Sequence, residues 1–126
     1  MAGAFSTYLG DALLDHVLRG VDYTPPTDVY VSLHDAAPGR TGANEITGYT
    51  GDRKLASFAA ASGRTSSTDT NLDYEGMPST TVTHYGVWDA ATGGNFLYGG
   101  PADSSTSVNA GETFRLPAGE LTVEHD

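Results

Sequence analysis

Four histidines, His16, His34, His84 and His125, stand beside or near the aspartates Asp15, Asp35, Asp89 and Asp126, the side chains from which a transition-metal site is built. Their spacing does not build one. A tetrahedral site usually takes two ligands from a short motif such as HxxxH or CxxC, whereas each histidine here is alone in its segment and the chain contains no cysteine. Hydrogen-bonded or interfacial histidines are the expectation. Asp69, Asp73 and Glu75 bring together hard oxygen donors suited to Ca²⁺, but without the Asp-x-Asp-x-Asp-Gly order of a dedicated loop they read as a solvated acidic segment. No Gly-x-Ser-x-Gly turn presents a hydrolase nucleophile, and neither GxxxxGK nor GxGxxG follows a strand to cradle a phosphate. Nothing nominates a pair of carboxylates for glycoside cleavage. The sequence therefore predicts a protein that is not an enzyme, with no catalytic residue, no metal ligand and no cofactor. Such a protein works through its surfaces.

Charge narrows which surfaces it can meet. Sixteen acidic residues against 6 basic ones give a net charge of -10, which opposes long-range attraction to nucleic acid or to an anionic membrane, so neither is an expected partner. Lys54 is the single lysine, while Asp, Thr, Gly, Ser and Ala abound. That bias fits either a GC-rich genome or a salt-rich setting, where a self-repelling acidic surface is screened. No long apolar run and no signal-peptide pattern occurs, so a soluble product not exported by that route is expected. A chain of 126 residues holds one core and not two, and residues 1–126 are read as a single domain.

The elements that would position these side chains can be read along the chain. Phe5, Leu9, Leu13 (or Ala12), His16 and Val17 recur at three- and four-residue spacing, which predicts one helix over about 5–19, capped by Ser6 or Thr7 and closed by Gly20. One apolar stripe implies that it lies across a sheet or an adjacent subunit. Tyr23-Thr24-Pro25-Pro26-Thr27 is a rigid extended connector. Val29, Val31 and Leu33 then alternate with Tyr30, Ser32 and His34, as in a strand with one buried face. Residues 35–51 read as a glycine-rich loop or arm with one short strand near 45–49, and the variable region extends to 79. Within it a strand or helical turn is expected at 53–61 and a strand at 71–74. From Thr80 to about 124 the pattern is regular, with strands at 80–89, 95–98, 105–108, 112–116 and 120–124 between glycine turns. On the first of these, Val82, His84, Gly86 and Trp88 should share one face. The predicted fold is mainly β, a single-domain antiparallel β-sandwich or jelly-roll-like barrel with one N-terminal α-helix. Trp88, Phe96 and Phe114 are expected in its core.

Two stretches carry a resemblance. TYLGDALLDHVLRGVDYTPPTDVYVSLHDAAPG resembles a helix ending in LLxHVxG, then YTPP, then a strand of the form xVYVxLxxAxP, and TVTHYGVWDAATGGNFLYGG with VNAGETFRLPAGELTV resembles TVTHxGxxDAATGGxLL with VxAGDTxxxPAGxLxV. Together they are similar to small structural proteins of tailed viruses of bacteria and archaea, labelled tail fibre or minor structural protein and, by fold, candidates for capsid decoration. The middle departs, with GYTGDRK where such proteins have a GGY-A-R segment.

The resemblance implies a virion protein made in the host cytoplasm. The leading expectation is a cement protein on the capsid exterior, bound to the major capsid protein and to copies of itself as a homo-oligomer, with a trimer as the guess. The alternative is a tail fibre or tail-tip module that binds a host receptor or glycan. Contacts are expected from Phe5, Leu9 and Leu13 of the helix, from Tyr23, Pro25 and Pro26 of the connector, and from Arg40, Ile46, Tyr49 and Arg53 of the arm.

Overall fold

The computed structural model of the chain describes residues 3–124. Its elements are β1 (Ala4–Phe5), α1 (Thr7–Arg19), β2 (Val29–His34), β3 (Lys54–Ala56), β4 (Thr65–Ser67), β5 (Leu72–Tyr74), β6 (Thr80–Trp88), β7 (Phe96–Val108), β8 (Phe114–Leu116) and β9 (Thr122–Glu124). Five strands form one antiparallel sheet in the order β1-β7-β6-β2-β3, and the pairs β4-β9 and β5-β8 form two short ribbons. The fold is mainly β and antiparallel, with one helix at the N-terminus.

Period-two alternation on β2 and β6 decides what the ribbons cover. Val31 and Leu33 pair in register with Val87 and Tyr85. Those four side chains form a core with Leu72, Tyr74, Phe114 and Leu116 from the β5-β8 ribbon. Tyr74 is completely buried, and its hydroxyl donates a 2.7 Å hydrogen bond to the Val31 carbonyl, so its polar tip is not orphaned. Val82 also joins this core, although strict alternation places it with His84. Between those two residues the β6-β7 register jumps from Val82↔Thr106 to His84↔Pro101, a bulge that leaves four β7 residues opposite one.

The second face of the sheet is buried as well, contrary to the single buried face expected for β2. Ser32 and His34 have no exposed surface, and Trp88 and Phe96 are buried beside them. The arm from Asp35 to Arg53 is a largely exposed loop, as expected, but Pro38, Gly42, Ala43 and Arg53 touch this face, while Ile46 and Tyr49 pack with Tyr74 in the first core. A chain of hydrogen bonds crosses the second face. The Trp88 indole donates to Ser32 Oγ at 2.9 Å, Ser32 Oγ meets His34 Nε2 at 2.7 Å, and His34 Nδ1 donates to the Ala43 carbonyl at 2.8 Å. A carbonyl only accepts, so Nδ1 carries a proton, and in the neutral ring that burial favours Nε2 accepts from the serine. Burial drives its pKa down, the effect of a site that penalises imidazolium. Gly86 makes room for this chain, since a Cβ there would lie 2.6 Å from Ser32 Oγ and 2.7 Å from His34 Nε2.

Arg53 locks the arm down. Its guanidinium forms a two-pronged pair with Glu45 at 2.8 and 2.9 Å, donates to the carbonyls of Ala90 and Gly93 at 3.0 and 2.8 Å, and lies 3.6 Å over the Trp88 ring. With so much of its bonding supplied internally, the strand expected near 45–49 reduces to a single bridge, His34↔Glu45. The strands expected at 95–98 and 105–108 are one continuous bulged strand, β7. The short strands β1 and β4 escaped the pattern because two or three residues show no periodicity.

Candidate protein-docking surface

Helix α1 begins where Ser6 Oγ accepts the Leu9 amide at 3.0 Å, and it ends at Gly20, whose left-handed φ of 69° is the conformation that glycine alone adopts without strain. The His16 ring adds a 2.9 Å bond from Nδ1 to the Val21 carbonyl, and Asp15 and Arg19 pair at 3.3 Å on the exposed side. Capping at both ends makes the helix a firm element, yet none of its residues is buried. Leu9, with Phe5 just before the helix, packs partly buried against the core. The expected stripe therefore exists only in its first half: His16 is exposed and Val17 is 75% exposed, because the helix leaves the body after its first turns.

A second apolar stripe points outward. Gly10, Leu14, Val17 and Leu18 follow the spacing i, i+4, i+7 and i+8. Leu14 is 59% exposed and Leu18 73%, so with Val17 they leave a run of large apolar side chains on one helix face open to water. These side chains form one wall of a groove of about 430 Å³ between the helix and β1, which Gly3, Ala4, Phe5, Gly10 and Leu13 also line, with Arg40 and Glu124 as its charged residues. β1 is an edge strand, paired only with β7. Arg40 donates to the Phe5 carbonyl at 2.8 Å and so fixes one wall.

The residues expected at a partner contact are distributed unevenly. Phe5, Leu13 and Arg40 line the groove, and Leu9 packs against the core. Tyr23 and Pro26 are half-buried and Pro25 is exposed, and burial of Tyr23 raises its hydroxyl pKa. The arm residues go elsewhere. Ile46 is 5% exposed in the core, Tyr49 stacks edge-on with Tyr74 at 5.3 Å, and Arg53 makes the internal clamp. Their side chains hold the arm to its own sheet, so Ile46 and Arg53 are not presented to a partner. The residues that sequence reading missed are Leu14 and Leu18. Their spacing was the available signal, a second stripe on a helix assigned only one.

Side chains considered for chemistry are dispersed. His16 caps the helix end, His34 is buried, and His84 pairs with Thr83 Oγ1 at 2.8 Å, while His125 and Asp126 lie outside the described residues. Asp73 forms a two-pronged exposed pair with Arg115 at 2.7 and 3.0 Å, and that hydrogen bonding holds its carboxyl below the usual range. Among the described residues no three His, Asp or Glu side chains converge as a metal site. Trp88, Phe96 and Phe114 are buried, as expected for core rings. Among the Phe, Tyr and Trp side chains of the described residues, Tyr8, at 45%, is the one classed as exposed.

Set beside known proteins, residues 4–124 match a family model described as Podophage GP4 fiber I protein gp80. A search of curated proteins finds no match.

Proposed function

This chain belongs to the podophage GP4 fiber I protein gp80 family, and from that premise we propose that it is a structural component of a phage particle's fibre apparatus, working by docking to other protein rather than by catalysis. One observation carries the docking half of the reading. A β-fold that buries both faces of its main sheet leaves the outward stripe of its capped helix, Leu14, Val17 and Leu18, in water. Contiguous exposed apolar side chains along a groove are the kind of surface that meets another chain.

The family description supports a fibre over the capsid-cementing role expected from the sequence. Both roles need the same kind of surface and differ in number and place. A receptor site built on stacked rings gains little support from a surface on which Tyr8 alone of the described Phe, Tyr and Trp residues is exposed, so glycan binding is not part of the proposal. The test is to count copies per purified particle on a calibrated gel and to locate them with gold-labelled antibody. Few copies confined to the tail are expected. Labelling spread over the shell at high copy number would replace the fibre with decoration, and absence from purified particles would overturn both.

A further inference from the structure

The first half of the arm ties two separate places together. We propose that it is an acid-sensitive latch: the loop 35–44 covers His34 at one point and fixes a wall of the α1–β1 groove at another, so that protonation of His34 opens the loop and frees that wall. The effect on docking rests on the role proposed for the groove, whereas the latch itself does not. Within the loop, the Gly42 and Ala43 amides donate to the Pro38 carbonyl at 3.1 and 3.0 Å, and Asn44 Nδ2 donates to the Ala37 carbonyl at 2.9 Å, so it keeps its shape without the sheet. Its one buried residue is Pro38, packed at Gly99. A segment so lightly anchored opens at less cost than the whole domain. Movement stops just beyond it, where Ile46 is in the core and its amide bonds the Leu33 carbonyl at 2.8 Å.

Three contacts hold the closed loop. The Ala43 carbonyl accepts from His34 Nδ1, Gly42 lies against the Trp88 ring, and Arg40 grips the junction of β1 and α1 twice, donating to the Phe5 carbonyl at 2.8 Å and accepting the Thr7 amide at 3.3 Å. The first contact is sensitive to protons. Among the described residues the His34 ring bonds Ser32 and Ala43, and neither is anionic. A proton on Nε2 would make Ser32 Oγ, already an acceptor for the Trp88 indole, accept twice, and would strip the serine hydrogen of its acceptor where neither residue has exposed surface. The charges facing the ring come from two elements. On the arm Glu45 favours the imidazolium and Arg53 opposes it, and on β6 His84, directly opposite in the register, opposes it as well. Phe96 of β7 brings no charge, and Asp35, the next residue along, is exposed. Burial is the largest effect and holds the ring neutral. The open loop therefore takes up a proton that the closed one refuses, and opening is favoured as pH falls below about 6.5, the ordinary histidine value.

The full chain carries its own reporters. Trp88, its only tryptophan, lies under Gly42, and the Thr7 amide is held by Arg40. Acrylamide quenching of Trp88 and amide hydrogen exchange, corrected for intrinsic rates, are compared at about pH 7.5 and about pH 5.5, on either side of the ordinary histidine value and above that of carboxylates. Opening should rise by up to roughly tenfold at the lower pH, read as stronger quenching and weaker Thr7 protection, while the Ile46 amide keeps its protection. His84→Gln should retain the response. His34→Asn, whose amide donates to Ala43 but takes up no proton, should lose it, and if that variant does not fold, the wild type and His84→Gln decide. Equal quenching and equal Thr7 protection at both pH values would overturn the latch. So would loss of Ile46 protection in step with Thr7, the mark of general unfolding, or a response that disappears in His84→Gln. Because these measurements need no particle, their failure leaves the copy count and labelling of particles as an independent test of the fibre role.

Discussion

Truncating Arg53 to alanine should release the arm from the sheet. The side chain is 8% exposed and spends its donors on Glu45, Ala90 and Gly93 while covering the Trp88 ring. Removing a partner from a buried pair costs about 3–5 kcal/mol, because the remaining charge is left without compensation. Here Glu45 keeps 20% exposure and some hydration, which lowers that cost, whereas loss of the cation over the indole adds about 1 kcal/mol. The expected loss is about 3 kcal/mol, a large share of the roughly 5–15 kcal/mol that holds a domain together. Trp88 is the only tryptophan, so denaturant unfolding followed by its fluorescence reads the affected site directly. Two comparisons sharpen the result. Arg19→Ala, in an ion pair 69% and 47% exposed, should cost less than about 0.5 kcal/mol. Arg53→Met combined with Glu45→Gln should recover about half of the loss, since no charge is then stranded. A loss below about 1 kcal/mol in Arg53→Ala would refute the clamp.

Three further outcomes are expected. The His34 imidazole should remain the neutral Nδ1–H tautomer when ordinary histidines, near pH 6.5, take up a proton. A depressed native pKa means that its contribution is complete above that pH and is lost as pH falls through it, at up to about 1.4 kcal/mol per unit; ¹⁵N-detected imidazole shifts check this, and titration in the ordinary range would contradict it. Gly86→Ala should destabilise by about 1–3 kcal/mol, because the added methyl meets Ser32, His34 and Phe96 together, the last at 2.9 Å; an unchanged melting temperature would show that the site yields. Thr68→Val should stabilise by about 0.5–1 kcal/mol, since the Thr68 hydroxyl is buried without a hydrogen-bond partner; a clear loss in thermal unfolding would mean that the hydroxyl is satisfied.

Much of the fold was legible wherever local pattern and turn chemistry agree. The alternation in VYVSLH, the TTVTHYGVW run before a glycine turn, and the Ser6 and Gly20 caps each specify conformation through neighbours a few residues apart. Irregular stretches were less legible. The 35–53 arm has few bulky apolar residues and many glycines, so it reads as exposed, yet Arg53 and Gly42 fit it to the Trp88 ring from a distance in sequence. The groove along α1 was half legible. Sequence located the helix and singled out Phe5, Leu13 and Arg40, which line it, but it turned Val17 inward and passed over Leu18.

What the sequence determined by itself is therefore local and compositional: strand and helix type, the caps and turns, the acidic balance and the absence of thiol chemistry. These follow from backbone preferences and side-chain composition, which act within a few residues or need no coordinates. Only the tertiary structure decided which of the two apolar stripes on α1 is covered, and that Gly42 and Arg53 of the arm lie against Trp88 on the second face of the sheet. Burial depends on which distant segments meet, and a leucine at position 9 or 18 carries the same intrinsic preference until the chain has folded around one and away from the other.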